Sequence, residues 1–265
     1  MQGHRPRKRF GQNFLADGHY VARIVASVAP APGDNIVEIG PGLGALTGAL
    51  IERAGRISAV EIDRDLAARL RERYAADVLA LHEADALAFD FGTLGPELRV
   101  VGNLPYNISS PLLFHLSDCA GTLRDIHVML QREVVARMTA APATADYGRL
   151  TVMLQSRFAV TRLFTVPPGA FRPAPNVDSA VARLVPLGER RPCVVDEALF
   201  ARVVAAAFGQ RRKTLRNALA AIAGEAALRE GGVDPSARGE TLSVDAFVTL
   251  ANRLAALQRL RGLQQ

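Results

Sequence analysis

Five short runs of β-branched and other apolar residues alternate with amphipathic helical patterns over the first half of this 265-residue chain. The runs lie at 35–39, 57–62, 78–81, 98–101 and 126–130. Asp17 precedes the first helical pattern and is its predicted N-cap. Because the links are short, the alternation is typical of a mostly parallel sheet with helices on both faces. The sequence therefore predicts an α/β fold whose ligands bind where the carboxyl ends of the strands meet.

The pattern changes after Leu187. The segment 188–192 is polar and contains a proline, which is typical of a linker. Only helical patterns follow it, at 199–208, 214–222 and 244–257. We predict two domains, an α/β domain over residues 1–187 and a small all-helical domain over residues 188–265.

Composition and spacing exclude several classes of protein. Apolar residues make up 49% of the chain, too many for a disordered protein. Apolar runs fall short of the ~20 residues of a membrane-spanning helix, and the basic start of the chain lacks the uninterrupted apolar stretch of a signal peptide. Cys119 and Cys193 are far apart and lack metal-ligand spacing. We therefore expect a cytoplasmic protein with free thiols, no bound metal and no membrane contact.

Positive charge is concentrated in parts of the chain. The formal net charge is +6, and 30 of the 32 positive residues are arginine. Segment 34–98 is net acidic, whereas segments 1–33 and 99–216 are net basic. Arginine binds phosphate through its bidentate fork, so tight clusters are candidate nucleic-acid contacts, although a charge run is more often a solvated face. The candidates are Arg7, Lys8, Arg9, Arg211, Arg212 and Lys213.

A glycine loop follows the first predicted strand. Glu38 begins the sequence Glu-Ile-Gly-Pro-Gly-Leu-Gly, which places Gly40 and Gly42 at the start of the next helical pattern. Glycines there allow positive φ angles and close approach of a ligand to the backbone. The spacing also satisfies a relaxed dinucleotide fingerprint, and Glu61 stands where either an NAD enzyme or a methyltransferase keeps its ribose-binding acid. Glu38 favours the methyltransferase, because dinucleotide folds usually keep a small apolar residue there.

A further acid follows the third predicted strand. Asp85 lies in the sequence Glu-Ala-Asp-Ala, where its carboxylate can accept a hydrogen bond from the exocyclic amine of an adenine. Surface loops are rich in aspartate, and the glycine loop alone could be an ordinary tight turn. The strand, the helix and the acids in sequence order together favour a nucleoside-binding edge.

The sequence Asn103-Leu104-Pro105-Tyr106 follows the fourth predicted strand and therefore lies at the same edge. The lone pair of an exocyclic amine is delocalised into its ring, which makes the amine a poor nucleophile. The Asn103 amide oxygen and the Leu104 carbonyl can accept both of its N–H bonds and favour a pyramidal nitrogen. Pro105 removes a competing donor, and Tyr106 offers a ring on which a base can stack. A turn before a helix, with Tyr106 in the core, is the simpler alternative.

Five separated blocks resemble the ribosomal RNA adenine dimethyltransferase family. They lie at 8–15, 38–44, 103–106, 166–179 and 207–215, so the resemblance covers almost the whole chain. It implies a class I Rossmann-like S-adenosylmethionine-dependent methyltransferase with a small C-terminal helical domain. The branch that acts on the small subunit is the most similar, which implies N6,N6-dimethylation of two adjacent adenosines near the 3′ end of 16S rRNA during subunit assembly.

The resemblance also implies roles for individual residues. Asn13 and Leu15 would close over S-adenosylmethionine, Glu61 would hold its ribose, and Asp85 its adenine. Phe171 would face Tyr106 across the target base, although a phenylalanine in a proline-rich loop is more often a core anchor. The expected cofactor-binding residues are Asn13, Leu15, Gly40, Gly42, Glu61, Ile62, Asp85, Ala86 and Asn103, and the expected catalytic residues are Asn103, Leu104, Pro105, Tyr106 and Phe171. S-adenosylhomocysteine is the expected product, no metal is expected, and the protein is expected to act as a monomer on 16S rRNA within an immature small subunit.

Three alternatives stay open at this point. Dimethylation of a large-subunit adenine is the nearest, and only the resemblance of blocks 166–179 and 207–215 disfavours it. A non-catalytic assembly factor would not need an amine acceptor such as Asn103 beside a cofactor pocket. An NAD-dependent oxidoreductase would leave the basic segments unexplained and lacks an evident hydride-relay residue.

Overall fold

The five predicted strands all form in the structure, a computed structural model that describes residues 13–262. In chain order the strands are β1 (Phe14–Leu15), β2 (Ile36–Ile39), β3 (Ile57–Glu61), β4 (Leu79–Glu83), β5 (Leu98–Asn103), β6 (Leu123–Gln131), β7 (Phe158–Val166), β8 (Phe171–Arg172) and β9 (Ser179–Pro186). The helices are α1 (Gly18–Val28), α2 (Thr47–Ala54), α3 (Arg64–Arg73), α4 (Ser109–Asp118), α5 (Arg132–Met138), α6 (Arg149–Gln155), α7 (Glu197–Gly209), α8 (Leu215–Ala218), α9 (Glu225–Glu230) and α10 (Val244–Gly262).

Seven strands form one mixed sheet in the order β4-β3-β2-β5-β6-β9-β7. The neighbours from β4 to β6 are parallel, and β9 runs antiparallel to β6. The chain moves from β2 outward to β4, then returns to the other side of β2 with β5. The strand order therefore reverses between β2 and β5, and such a switch point leaves a crevice at the carboxyl ends of those strands.

Local chemistry explains how the helices begin and what they bury. The Asp17 side chain accepts a hydrogen bond from the His19 N–H at 2.9 Å, which confirms the predicted N-cap of α1. The buried face of α1 carries Ile24, Val25 and Val28, which pack with apolar residues of the sheet in one core cluster. Burial of this apolar stripe holds α1 against the strands. The α/β prediction is confirmed.

Some elements differ from the predicted ones. Strands β7 and β9 were not expected, because neither shows clean alternation: β7 is an edge strand with several exposed positions, and β9 is buried at most positions on both faces. Of the helix expected over 214–222, only α8 forms, and turns follow it. Leu215 in α8 and Leu219 directly after it are both fully buried.

The chain divides into two units. Residues 13–135 and 159–186 form what we call the sheet unit, and residues 136–158 and 187–262 form the helical unit. The sequence placed 136–158 in the first domain, since nothing in its helical pattern shows which core it joins. In the structure Tyr147 and Val152 belong to the apolar core of the helical unit. The Tyr147 hydroxyl also donates to the Leu242 carbonyl at 2.7 Å.

The part of the chain that the structure describes contains neither a candidate membrane-spanning helix nor a candidate metal cluster. Between residues 13 and 262, every helix is too short or too polar to cross a bilayer. Over the same residues, His, Cys, Asp and Glu side chains form no cluster of three or more that could hold a metal ion.

Candidate active site

A pocket opens at the switch point between β2 and β5. The loops after β2, β3, β4 and β5 and the segment 13–15 supply its walls. Parallel strands direct these loops to one edge, so residues distant in sequence converge there. The pocket is lined by all the residues predicted to bind a cofactor and by four of the five predicted to be catalytic, with Asn103 in both sets. These residues are Asn13, Leu15, Gly40, Gly42, Glu61, Ile62, Asp85, Ala86, Asn103, Leu104, Pro105 and Tyr106.

The glycine loop has the backbone that its composition predicts. Gly40, Gly42 and Gly44 have φ angles of 66°, 59° and 79°, in the region that side chains disfavour. A Cβ atom at Gly42 would lie 3.0 Å from the Phe14 ring, so glycine also permits close contact with the segment 13–15. Sequence reasoning missed Gly102, where a Cβ would lie 2.7 Å from the Ile39 carbonyl oxygen and would force β2 and β5 apart beside the pocket.

Glu61 ties the glycine loop to the tip of β3. Its carboxylate accepts hydrogen bonds from the Gly42 N–H at 3.1 Å and from the Asp63 N–H at 2.9 Å, one at each oxygen. The residue is 4% exposed, and burial raises its pKa above the ordinary value despite these bonds. Each oxygen retains a lone pair that can accept a further hydrogen bond. The group is thus a preorganised acceptor for two neighbouring hydroxyls.

Glu38 is a second buried carboxylate on the pocket wall. The Thr47 hydroxyl donates to it at 2.6 Å. Burial, helped by the charge of Glu61 nearby, raises the pKa of Glu38 to about 7. Two carboxylates in one poorly solvated wall disfavour anions there and favour a ligand that carries positive charge.

One further acid and two exposed apolar side chains also line the pocket. Asp85 accepts a hydrogen bond from the Leu87 N–H at 2.9 Å, which fixes its side chain at the rim. Ile62 and Leu43 are 48% and 46% exposed and line the pocket, so they offer apolar surface to a ligand there. Leu43 and Leu87 were not predicted as lining residues, and the only available signal was their place beside Gly42 and Asp85.

The Asn103–Tyr106 loop is fixed at several atoms. The Asn103 Nδ2 donates to the Asn13 carbonyl at 2.9 Å, and the Leu104 N–H donates to the Met129 carbonyl at 3.1 Å. The Tyr106 hydroxyl lies 2.7 Å from the Ser179 hydroxyl. The first bond determines which end of the Asn103 amide is the donor and leaves Oδ1 as its acceptor end.

A two-stranded ribbon connects the segment 13–15, which lines the pocket, to the loop that carries Phe171. Strand β1 pairs antiparallel with β8, with Leu15 opposite Phe171, and the Ala16 N–H donates to the Ala170 carbonyl at 2.8 Å. Leu15 lines the pocket, whereas Phe171 is fully buried in the core of the sheet unit and is not part of the pocket wall. In this structure Phe171 therefore packs as a core residue, and a contact with a base stays a prediction.

The residues of the predicted basic cluster in the helical unit have different surroundings in the structure. Arg211 is held within the helical unit: it pairs with Glu240 at 3.2 Å and donates to the carbonyls of Ala145 and Tyr147. Arg212 and Lys213 are exposed. The predicted cluster of Arg7, Lys8 and Arg9 lies outside the described residues.

Solved structures share this architecture. A dimethyladenosine transferase from Plasmodium falciparum superposes with a TM-score of 0.79 over 91% of this chain and 98% of that one, at 23% identity. The 23S rRNA methyltransferase ErmE superposes with a TM-score of 0.68 over 92% of this chain and 100% of that one, at 29% identity. The fold is that of the Rossmann-like, S-adenosylmethionine-dependent methyltransferases, with an added helical part.

Sequence comparison narrows the class to one family. A family model described as ribosomal RNA adenine dimethylase matches residues 3–256. The ribosomal RNA small subunit methyltransferase A of Aromatoleum aromaticum is 60% identical over 97% of both chains. The protein of the same name from Thiobacillus denitrificans is 58% identical over 95% of this chain and 99% of that one. The chain belongs to the ribosomal RNA adenine dimethylase family.

Proposed function

We propose that this protein transfers methyl groups from S-adenosylmethionine to N6 of adenosines in small-subunit ribosomal RNA. Family membership and the names of the relatives support the class of reaction and the subunit. The observation that carries the proposal is the convergence of Glu61, Asp85 and Asn103 on one pocket. From the resemblance of its motifs, we further propose two adjacent adenosines near the 3′ end of 16S rRNA, in an assembling subunit, as the target.

The pocket residues fit S-adenosylmethionine. Glu61 presents two carboxylate oxygens, already oriented by backbone N–H groups, to the two hydroxyls of a ribose. Asp85 stands at the rim where an adenine amine needs an acceptor, and the exposed side chain of Ile62 offers an apolar face to the ring. The buried carboxylates of Glu38 and Glu61 favour a cationic ligand. When bound, this cofactor supplies an electrophilic methyl group on a positively charged sulfur.

Asn103 and Leu104 would orient the target amine. The hydrogen bond from Asn103 Nδ2 to the Asn13 carbonyl leaves Oδ1 to accept an N–H of the amine. The Leu104 carbonyl would accept the second N–H, and Pro105 adds no donor to compete for it. With both N–H bonds directed at the protein, the nitrogen lone pair points away from them. Catalysis then consists of orientation and proximity, with no strong base, because the alkylated nitrogen is acidic.

Tyr106 would hold the target base by stacking. Its ring lines the pocket two residues beyond Leu104, and a target adenine must leave its helical stack to reach the Asn103 oxygen. We propose that Phe171 supplies the opposite face. Since Phe171 is buried across the ribbon from Leu15, this role requires the β1–β8 ribbon to shift when RNA binds.

The exposed pair Arg212 and Lys213 is our candidate contact to rRNA phosphates in the helical unit. A second candidate substrate is large-subunit rRNA, since ErmE is 29% identical and superposes over nearly the whole chain. The small-subunit relatives share 52–60% identity and therefore favour the first.

Supplying labelled S-adenosylmethionine with unmethylated small or large subunits tests the proposal. We expect label on small subunits only, recovered as N6,N6-dimethyladenosine at two adjacent positions. Label on large subunits would favour the second candidate. Binding of subunits without any transfer would instead indicate a non-catalytic assembly factor.

A further inference from the structure

A hydrogen bond joins the Asn103–Tyr106 loop, which lines the pocket, to strand β9. The Tyr106 hydroxyl and the Ser179 Oγ lie 2.7 Å apart, although 73 residues separate them in sequence. Ser179 is fully buried at the start of β9 and pairs with Gln131 of β6. Its Oγ therefore lies on an inner strand of the sheet, between β6 and β7, and not on a loop.

The two partners differ in mobility and in chemistry. Tyr106 is half-buried in a turn, where its ring could rotate about two side-chain torsions. Ser179 has little freedom, because its backbone is paired in the sheet. A buried hydroxyl without a partner is costly, so the paired hydroxyls hold each other in place. Burial raises the pKa of Tyr106 above its ordinary value, which keeps the phenol protonated.

A stacking platform alone does not need this hydroxyl. Phenylalanine would present the same ring to a base, and alanine at position 179 would fit a buried strand. The bond adds a second fixed point: the loop backbone holds one end of the ring, and Ser179 holds the other. The bond thus fixes the direction of the long axis of the ring, and with it the place of the ring in the pocket, before a base arrives. This lowers the entropy lost on binding the reacting geometry.

We propose that Ser179 is a positioning residue for methyl transfer, whose hydroxyl holds the Tyr106 ring in the place where the target adenine stacks on it. This inference rests on the proposed function. Ser179 would touch neither cofactor nor RNA and would act only through Tyr106. Its loss should therefore impair the productive orientation of the base and not the affinity for S-adenosylmethionine.

The test compares Ser179→Ala, Tyr106→Phe and the double variant, each in the full chain with unmethylated small subunits. Each single change should lower kcat about three- to tenfold, the effect of one lost hydrogen bond, with an unchanged Kd for S-adenosylmethionine. The double variant should be no slower than either single one, because both changes remove the same bond. Ser156→Ala is the matched control: that buried serine donates to the Met153 carbonyl at 2.9 Å in the helical unit, so kcat should stay at the wild-type value.

A wild-type kcat in Ser179→Ala, or single effects that multiply in the double variant, would overturn the inference alone. If Ser179→Ala does not fold, Tyr106→Phe still decides: a wild-type kcat would overturn the inference, and a lowered kcat with unchanged cofactor affinity would support it. Failure of the wild-type protein to methylate any subunit would overturn the proposed function and this inference with it.

Discussion

The residues predicted for the pocket of the sheet unit lie together in the structure, whereas the three residues predicted as one basic cluster of the helical unit have different surroundings. The residues predicted for the pocket come from separate parts of the chain, yet those from Asn13 to Tyr106 all line it. The residues predicted for the basic cluster of the helical unit are consecutive, yet their hydrogen-bond partners differ. Arg211 is held by Glu240 and backbone carbonyls, while Arg212 and Lys213 are exposed.

The difference shows what kind of sequence signal determines position. In a parallel sheet, the end of a strand fixes which edge a residue occupies, so Glu61 and Asn103 must approach each other. A run of charges contains no such constraint. Arg211, Arg212 and Lys213 are all exposed, and only the acceptors near each side chain decide which one is held at the surface. Four predictions test this contrast, beginning with the largest effect.

Asn103→Ala tests whether the pocket is a reaction site or only a binding site. Loss of the amide acceptor should lower methyl transfer by about a hundredfold or more, because orientation of the amine is the main catalytic contribution. The measurement is label incorporated into unmethylated small subunits. The midpoint of thermal unfolding should stay near the wild-type value. Near-normal turnover would contradict the assigned role.

Glu61→Ala tests whether the acid at the tip of β3 holds the ribose. The change removes the acceptor and also frees the Gly42 N–H, so the Kd for S-adenosylmethionine should rise about ten- to a hundredfold. Glu83→Ala is the matched control, since Glu83 ends the neighbouring strand, pairs with Arg71 and lies outside the pocket wall. Calorimetry that gives equal affinities for the two variants would rule out this role.

Glu38 predicts a pH-dependent stability of the cofactor-free protein. Its pKa of about 7 lies above the ordinary 4.5, so the folded chain holds a proton that the unfolded chain releases. The free energy of unfolding should therefore fall as pH rises from about 5 to about 8, by roughly 2 kcal/mol from this residue. Glu61 contributes in the same direction, so the difference between the wild-type protein and Glu38→Gln isolates Glu38. Superimposable pH profiles of the two proteins would refute this prediction.

Because Arg211 has partners that Arg212 and Lys213 lack in our account, we expect substitutions at these neighbouring positions to change different properties of the protein. Arg211→Ala should lower the free energy of unfolding by about 1 kcal/mol, because its carbonyl partners lose a donor at a half-exposed site. Replacing both Arg212 and Lys213 with alanine should leave stability unchanged. It should, however, reduce the slope of log affinity against log salt for ribosomal subunits by about 1 to 2. An unaltered slope would mean that the pair is merely solvated.

Much of the sheet unit was predictable because its signals are local. The strand runs, the Asp17 cap and the positive φ angles at Gly40 and Gly42 follow from residue type and spacing. The contacts that needed tertiary structure were not predictable. Nothing in the sequence pairs Tyr106 with Ser179, because their contact depends on an antiparallel strand inserted beside β6.

The burial of Phe171 and the unit to which segment 136–158 belongs could not be predicted from the sequence either. A phenylalanine in a proline-rich loop can face a core or a ligand, and only the pairing of Leu15 with Phe171 shows the packing adopted here. Segment 136–158 has ordinary helical patterns, and the partners of Tyr147 assign it to the helical unit. In each case the deciding group lies far away in sequence.

The central claim is that the switch-point pocket holds the methyl donor with its reactive end toward Asn103. A crystal structure of the protein with S-adenosylhomocysteine tests it most directly. We predict both ribose hydroxyls within hydrogen-bond distance of the Glu61 carboxylate, the adenine amine at Asp85 and the sulfur on the side of Asn103. A ligand bound elsewhere, or a ribose without contact to Glu61, would contradict the account.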